Sequence, residues 1–157
     1  MSKTTRATQM LTKAGTAFTV HSYDYDPSVD RIGMAAAQAM GEAPQRVLKT
    51  LMAEVDGKPV CVVVPSDREV SMKKLAAAAS GKSAAMMKPA AAERLTGYHV
   101  GGISPFGQKK TVPTFVEETA LAEPLVYING GQRGLQVQLS PTDAFTVLGA
   151  IAAPLVT

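Results

Sequence analysis

The sequence predicts an α+β fold in a single domain, residues 1–157, with a mixed, largely antiparallel sheet wrapped by helices. Three observations carry this. Asp56-Gly57 lies between two apolar runs, VLKTLMAEV (47–55) and VCVVVP (60–65), the strongest short-range signal for a β-hairpin. The regular β-α-β alternation of a doubly wound sheet is absent. At 157 residues and 46% apolar, the chain is long enough to bury one real core and lies well outside the disordered regime.

The elements follow in order. Thr4 or Thr5 caps a first helix whose Ala7, Met10, Leu11 and Ala14 share one face, and Gly15 supplies the stop. AFTVHSY (17–23) reads as a strand and IGMAAAQAMG (32–41) as a short alanine-rich helix ended by Gly41. A turn at Pro44 leads into the hairpin. Ser71 then caps MKKLAAAAS, with Gly81 after it, and Pro89 occupies the first position of a helix that Gly97 stops. Strands are expected near 98–102, 112–116, 125–129 and 135–139. Ser140-Pro141, with Asp143 three residues after the serine, opens a last helix, and the apolar run 144–156 reads as a buried terminal helix, too short to span a bilayer.

Charge and composition bound the function. The formal charge of +3 mildly favours an anionic partner. No apolar leader follows MSKTTRATQMLTKAG, and with Cys61 as the single cysteine no intrachain disulfide can form, so the cytoplasm is the expected location. Two histidines, His21 and His99, and one cysteine give no recognisable metal spacing; no metal and no cofactor are expected. The HSYDYD cluster (21–26) reads as a polar strand end rather than a metal patch. Cys61, inside VCVVVP, reads as a core thiol, and Ser104 lacks the G-x-S-x-G elbow of a nucleophilic serine.

TGYHVGGISPFGQKK (96–110) suggests a phosphate loop, but Gln108 stands where a P-loop needs lysine, and Lys109 is followed by Lys110 rather than a hydroxyl. A glycine turn remains the plain alternative. Lys49 is the sharper anomaly. Strand alternation puts it on the apolar face with Val47, Leu51, Ala53 and Val55, while Thr50 and Glu54 take the other face. Either an edge strand or bulge lets the lysine reach solvent, or an ammonium stands at the floor of a pocket, where low dielectric strengthens its pull on an anionic ligand.

VLKTL, then GYHVGGISPFGQKK, then YINGGQRGLQ (127–136), in that order and in a chain of this length, closely resemble the YbaK family of free-standing aminoacyl-tRNA deacylases. That family consists chiefly of Cys-tRNA(Pro) deacylases, relatives of the editing domain inserted in some prolyl-tRNA synthetases. The resemblance spans about residues 5 to 150. It implies a partly barrel-like sheet and hydrolysis of the ester that joins a wrong amino acid to the 3′ end of tRNA, with prolyl-tRNA synthetase as a possible partner. It assigns a catalytic role to Lys49 and to Gly101 and Gly102, whose backbone N–H groups would approach the ester carbonyl. Tyr23, Ser104, Asn129, Gly130, Gly131 and Gln136 fall at its substrate-binding positions. In the cysteine-specific branch the substrate's own thiol is thought to attack the ester. This chain departs from the cysteine-specific pattern in two places: Asn129 stands where cysteine-specific relatives usually carry serine, and Gln136 where they usually carry an acid, which puts cysteine as the amino acid removed in question. Lys109, Lys110 and Arg133, with Lys73, Lys74, Lys82 and Lys88, form a candidate tRNA-binding rim. The competing readings are a module that holds tRNA ends or a synthetase without turnover, and a small-anion or nucleotide binder.

Overall fold

The computed structural model describes residues 4–24 and 32–157. Helix α1 (Arg6–Lys13) starts at Thr5, and its first turn is closed reciprocally: Thr8 N–H donates to the Thr5 hydroxyl at 3.1 Å, and Thr5 N–H donates to the Thr8 hydroxyl at 2.8 Å. Strand β1 (Thr19–Ser22), helix α2 (Ile32–Met40) and a 3-10 turn (Pro44–Arg46) lead to the hairpin of β2 (Leu48–Val55) and β3 (Lys58–Pro65). Asp56 and Gly57 both take positive φ, 51° and 80°, as a two-residue hairpin turn requires. Helix α3 (Met72–Ala78), strand β4 (Ala84–Met86), helix α4 (Pro89–Thr96) and strand β5 (Thr114–Glu117) follow. Beyond a second 3-10 turn (Glu118–Ala122) come β6 (Val126–Asn129), β7 (Leu135–Leu139), α5 (Pro141–Leu148) and β8 (Ile151–Ala153).

The strands form two sheets, ordered β1-β7-β6 and β4-β2-β3-β5-β8. Four of the six pairings are antiparallel; only β3–β5 and β5–β8 are parallel. A parallel bridge between Val47 and Tyr127 joins the sheets without closing a barrel among the described residues. The principal core fills the space between them. Leu48 and Met52 of β2 and Cys61 and Val63 of β3 meet Val126, Ile128, Val137 and Leu139, with Ala7 and Leu11 of α1 at one side. The opposite face of the larger sheet, including Ala53, Val55, Val62 and Val64, is covered by Leu75 of α3 and by Leu155 and Val156. None of the described helices is long and apolar enough to cross a membrane.

Two sequence expectations are corrected and one strand is added. Residues 98–102 are not a strand: Gly101 takes φ 90° and Gly102 N–H closes a turn onto the His99 carbonyl at 2.8 Å. The run 144–156 is not one helix. Gly149, at φ 59°, stops α5, and the chain continues as β8 beside β5. Strand β4, unforeseen in its alanine-rich sequence, exists through its pairing with residues 53–55 of β2.

The segment after β8 is laced to the rest of the sheet. The buried Glu117 carboxylate accepts the N–H of Leu155 at 2.8 Å and of Thr119 at 2.9 Å. Leu155 in turn accepts Ser71 N–H at 2.8 Å, Val70 bridges to Val156, and Thr157 N–H donates to the Glu69 carbonyl at 3.0 Å. Burial alone would push the Glu117 carboxyl up, but the backbone donors of Leu155, Thr119 and Val156 outweigh it and hold it below the usual carboxylate range. A lowered folded-state pKa stabilises the fold above the unfolded value, about 4.3, and that stabilisation is lost as pH falls through the folded value. Glu117→Gln should therefore cost about 1.5–3 kcal/mol in urea unfolding at pH 7, with the gap to wild type narrowing by pH 3. An equal gap at both pH values would remove the carboxylate from this role.

Candidate functional site

The site originates in a ladder that stops early. Strand β4 pairs with β2 only at residues 53–55, and the last bond on that side runs from Met87 N–H to the Met52 carbonyl at 3.0 Å. Two residues later Pro89 has no N–H to give and instead begins α4. Between the Tyr127 bridge at Val47 and this bond at Met52, the edge of β2 over residues 49–51 has no strand partner among the described residues, while β3 occupies the other edge. Ladder alternation turns the backbone groups of Thr50 to the same open side as the Met52 carbonyl. A cavity of about 400 Å³ wraps this edge and draws on both faces of β2, with Lys49 and Leu51 from one and Leu48, Thr50 and Met52 from the other. Its remaining walls are Met34, Met86, Met87, Pro89 and Ala92, the loop residues Val100, Gly101 and Ile103, Asn129 and Gln136 from β6 and β7, and Ser66 and Glu69 after β3.

Both sequence readings of Lys49 meet here: it lies on an open strand edge and in a pocket. Its side chain is 19% exposed, and its ammonium stands 3.8 Å from Oε1 of Glu69, whose side chain is 72% exposed. This ammonium and this carboxylate are the only charged groups lining the cavity among the described residues. Two further lining residues, Thr50 and Gln136, carry buried side-chain oxygens, Oγ1 and Oε1, that have no hydrogen-bond partner among the described residues. Buried polar atoms are nearly always bonded, so these two oxygens are open to a ligand or to water.

The glycine loops are braced rather than open. Asn129 Nδ2 donates to the Gly101 carbonyl at 3.2 Å, while its Oδ1 accepts Gly131 N–H at 2.7 Å and Gln132 N–H at 3.3 Å. One side chain thus ties loop 100–103 to turn 130–134. Gly102 lies where the two backbones meet, and a Cβ there would come within 2.8 Å of the Arg133 nitrogen. Its N–H is committed to His99, so its role is close approach, not donation to a ligand. Gly101 lines the cavity; Gly130 and Gly131 lie behind it, with the Gly130 carbonyl held by the Thr5 hydroxyl.

Other candidates fall elsewhere. Ser104 is fully buried, and its hydroxyl accepts Phe106 N–H at 3.2 Å inside the loop. Tyr23 packs with Ala36, Ala37, Val47 and Tyr127, away from the cavity lining; Tyr25 and Asp26 of the HSYDYD cluster lie outside the described residues. Arg133 stands at the rim with Nε donating to the Val100 carbonyl at 2.9 Å, and Lys109 and Lys110 are exposed just beyond α4. Lys74 donates to the Val156 carbonyl at 2.7 Å. Burial pushes the Cys61 thiol up to about 12, as befits a core residue. No group of histidine, cysteine and acid that could hold a metal exists among the described residues. Sequence reasoning missed Thr50 and Glu69. Thr50 was assigned to the face opposite Lys49, and only an open edge brings both faces to one cavity.

The profile of the aminoacyl-tRNA editing domain family matches residues 26–146. The Enterococcus faecalis protein EbsC, whose name marks it provisionally as a Cys-tRNA(Pro)/Cys-tRNA(Cys) deacylase, is 36% identical over 122 residues, covering 76% of this chain and 74% of its own length. Among solved structures, a protein provisionally described as a trans-editing enzyme for prolyl-tRNA synthetase superposes with a TM-score of 0.84 at 24% identity, over 97% of this chain and 95% of that one. A hypothetical protein superposes at 0.85 with 21% identity, over 98% and 100%. The last two likenesses concern the fold. The match across most of the sequence, together with a relative at this identity, establishes that the chain belongs to the aminoacyl-tRNA editing domain family.

Proposed function

We propose that the chain is a trans-editing hydrolase that removes a small amino acid from the 3′ end of mischarged tRNA, with Cys-tRNA(Pro) the leading substrate and an alanyl ester the next. Family membership sets the reaction class, deacylation of an aminoacyl-tRNA. The observation that carries the assignment to this cavity is Lys49: an ammonium mostly withdrawn from water beside an opening with orphaned acceptor atoms. In such surroundings its field on a developing oxyanion is stronger than in water.

Among the described lining residues the hydroxyls are those of Thr50 and Ser66, and no histidine stands with them to act as a base. Ser66 donates its hydroxyl to the Val47 carbonyl, and neither Cys61 nor His99 reaches the cavity. The attacking group would then come from outside the protein: water, or for a cysteinyl ester the substrate's own sulfur. In the second case sulfur bonds to the ester carbonyl carbon, the bond to the ribose oxygen breaks, and that oxygen takes up the proton. Water later opens the resulting thiolactone. The protein's part is to hold the ester at the Lys49 ammonium against the Gly101 loop. A module that holds tRNA ends without turnover is the second reading, favoured by the neutral Gln136.

Lys49→Ala should lower kcat/KM for deacylation by on the order of 100-fold or more. It should shift unfolding by less than about 1 kcal/mol, because its partner Glu69 is mostly solvated and is not left buried. Turnover and thermal unfolding measured on one preparation decide this; wild-type turnover would sink the mechanism. Gln136→Asp adds a carboxylate to the cavity and should shift the ratio of cysteinyl to alanyl ester hydrolysis toward cysteine; an unchanged ratio removes that position from specificity. Replacing Lys109 and Lys110 together by glutamine should weaken tRNA binding and flatten its log–log salt slope by about 1.4–1.8 if both contact phosphate. An unaltered slope excludes the pair from the tRNA footprint. A prolyl-tRNA synthetase partner is testable by adding the synthetase to the same assay.

A further inference from the structure

We propose that Glu69 is the binding residue for the α-ammonium of the aminoacyl ester. This rests on the deacylase reading above. Every aminoacyl-tRNA has a free α-amine, and its protonated form must find an acceptor on leaving water. Glu69 is the sole carboxylate lining the cavity among the described residues. The other lining oxygens are poorer hosts for a cation. Asn129 Oδ1 already accepts two backbone N–H groups, the Ser66 hydroxyl donates to Val47, and Thr50 and Gln136 offer neutral oxygens.

The geometry suits the substrate. The 3.8 Å between Lys49 Nζ and Glu69 Oε1 is a charge contact longer than a hydrogen bond, and a carboxylate has about four lone-pair sites. An aminoacyl ester presents an ammonium and a carbonyl oxygen on adjacent carbons. Side by side in the cavity, Lys49 and Glu69 present the opposite pair: a cation for the carbonyl oxygen as it becomes an oxyanion, and an anion for the ammonium. Glu69 stands toward solvent and Lys49 deeper, which orients the amine to the mouth and the ester inward. The backbone that bears Glu69 is fixed from both sides: its carbonyl accepts Thr157 N–H, the neighbouring Arg68 guanidinium donates to the Thr157 carbonyl, and Val70 bridges to Val156.

The test uses 3′-deoxy-3′-(alanylamino)adenosine, whose amide resists hydrolysis, and its N-acetyl derivative, which lacks the ammonium. Calorimetry on the wild-type protein should show about tenfold tighter binding of the free amine. Glu69→Gln should abolish that preference by weakening the free amine alone, and Glu69→Asp should restore part of it. Equal loss of both ligands in Glu69→Gln would mean that Glu69 only positions Lys49, and would overturn the proposal. So would a preference that survives the substitution, or a wild-type protein that shows none or binds neither ligand. Turnover of mischarged tRNA is read separately. Amine-selective binding without any turnover sinks the deacylase reading and keeps the ammonium site, whereas turnover indifferent to the amine does the reverse.

Discussion

A strand ladder cut short by a proline is the constraint on which the site depends. Had β4 continued along β2, backbone bonds would have sealed residues 49–51 and there would be no opening beside Lys49. Pro89 prevents this at no cost to α4, whose first N–H groups have no intrahelical partner in any case. Proteins usually defend a free strand edge against pairing with another chain, and charge is one of the defences. Here one charged side chain serves both ends: Lys49 discourages strand addition and makes the edge a receptor for an electron-rich group.

The rest of the cavity is built by holding backbone against backbone. Asn129 couples loop 100–103 to turn 130–134 through three hydrogen bonds, and Gly102 permits their contact. A serine at this position would have a shorter side chain with a single oxygen, which could not make the same three bonds. Gln136 contributes no charge to the cavity wall, so among the described lining residues only Lys49 and Glu69 can answer a charged feature of the substrate.

Much of this was legible in the sequence because the signals were local. Thr5, Ser71, Pro89 and Ser140 mark helix starts, Asp56-Gly57 the hairpin, and strand alternation alone singles out Lys49. What escaped is non-local. AAM (84–86) has the composition of a helix and becomes a strand only because β2 offers an unpaired edge. IAA (151–153) merges with the apolar run before it, and only Gly149 separates them. The apparent alternation of YHVGG (98–102) concealed a turn, since glycines that suit a close backbone approach also resemble an interrupted strand. Glu69 lies 20 residues beyond Lys49 in sequence, and nothing near it announces that the chain returns there.

The lacing of Leu155, Val156 and Thr157 across Glu117 and the 69–71 segment has a dynamic consequence. These bonds and the burial of Leu155 and Val156 hold a segment of three residues, whereas Lys49 sits in a strand bonded along its length to β3. Local opening takes the least tethered parts first, so amide protons of the terminal segment should exchange at a lower free energy than those of the hairpin. Each such opening would release the carboxylate side of the cavity while the ammonium side stayed in register. Warming would thus loosen the Glu69 side of the pocket before it disturbed the strand that carries Lys49.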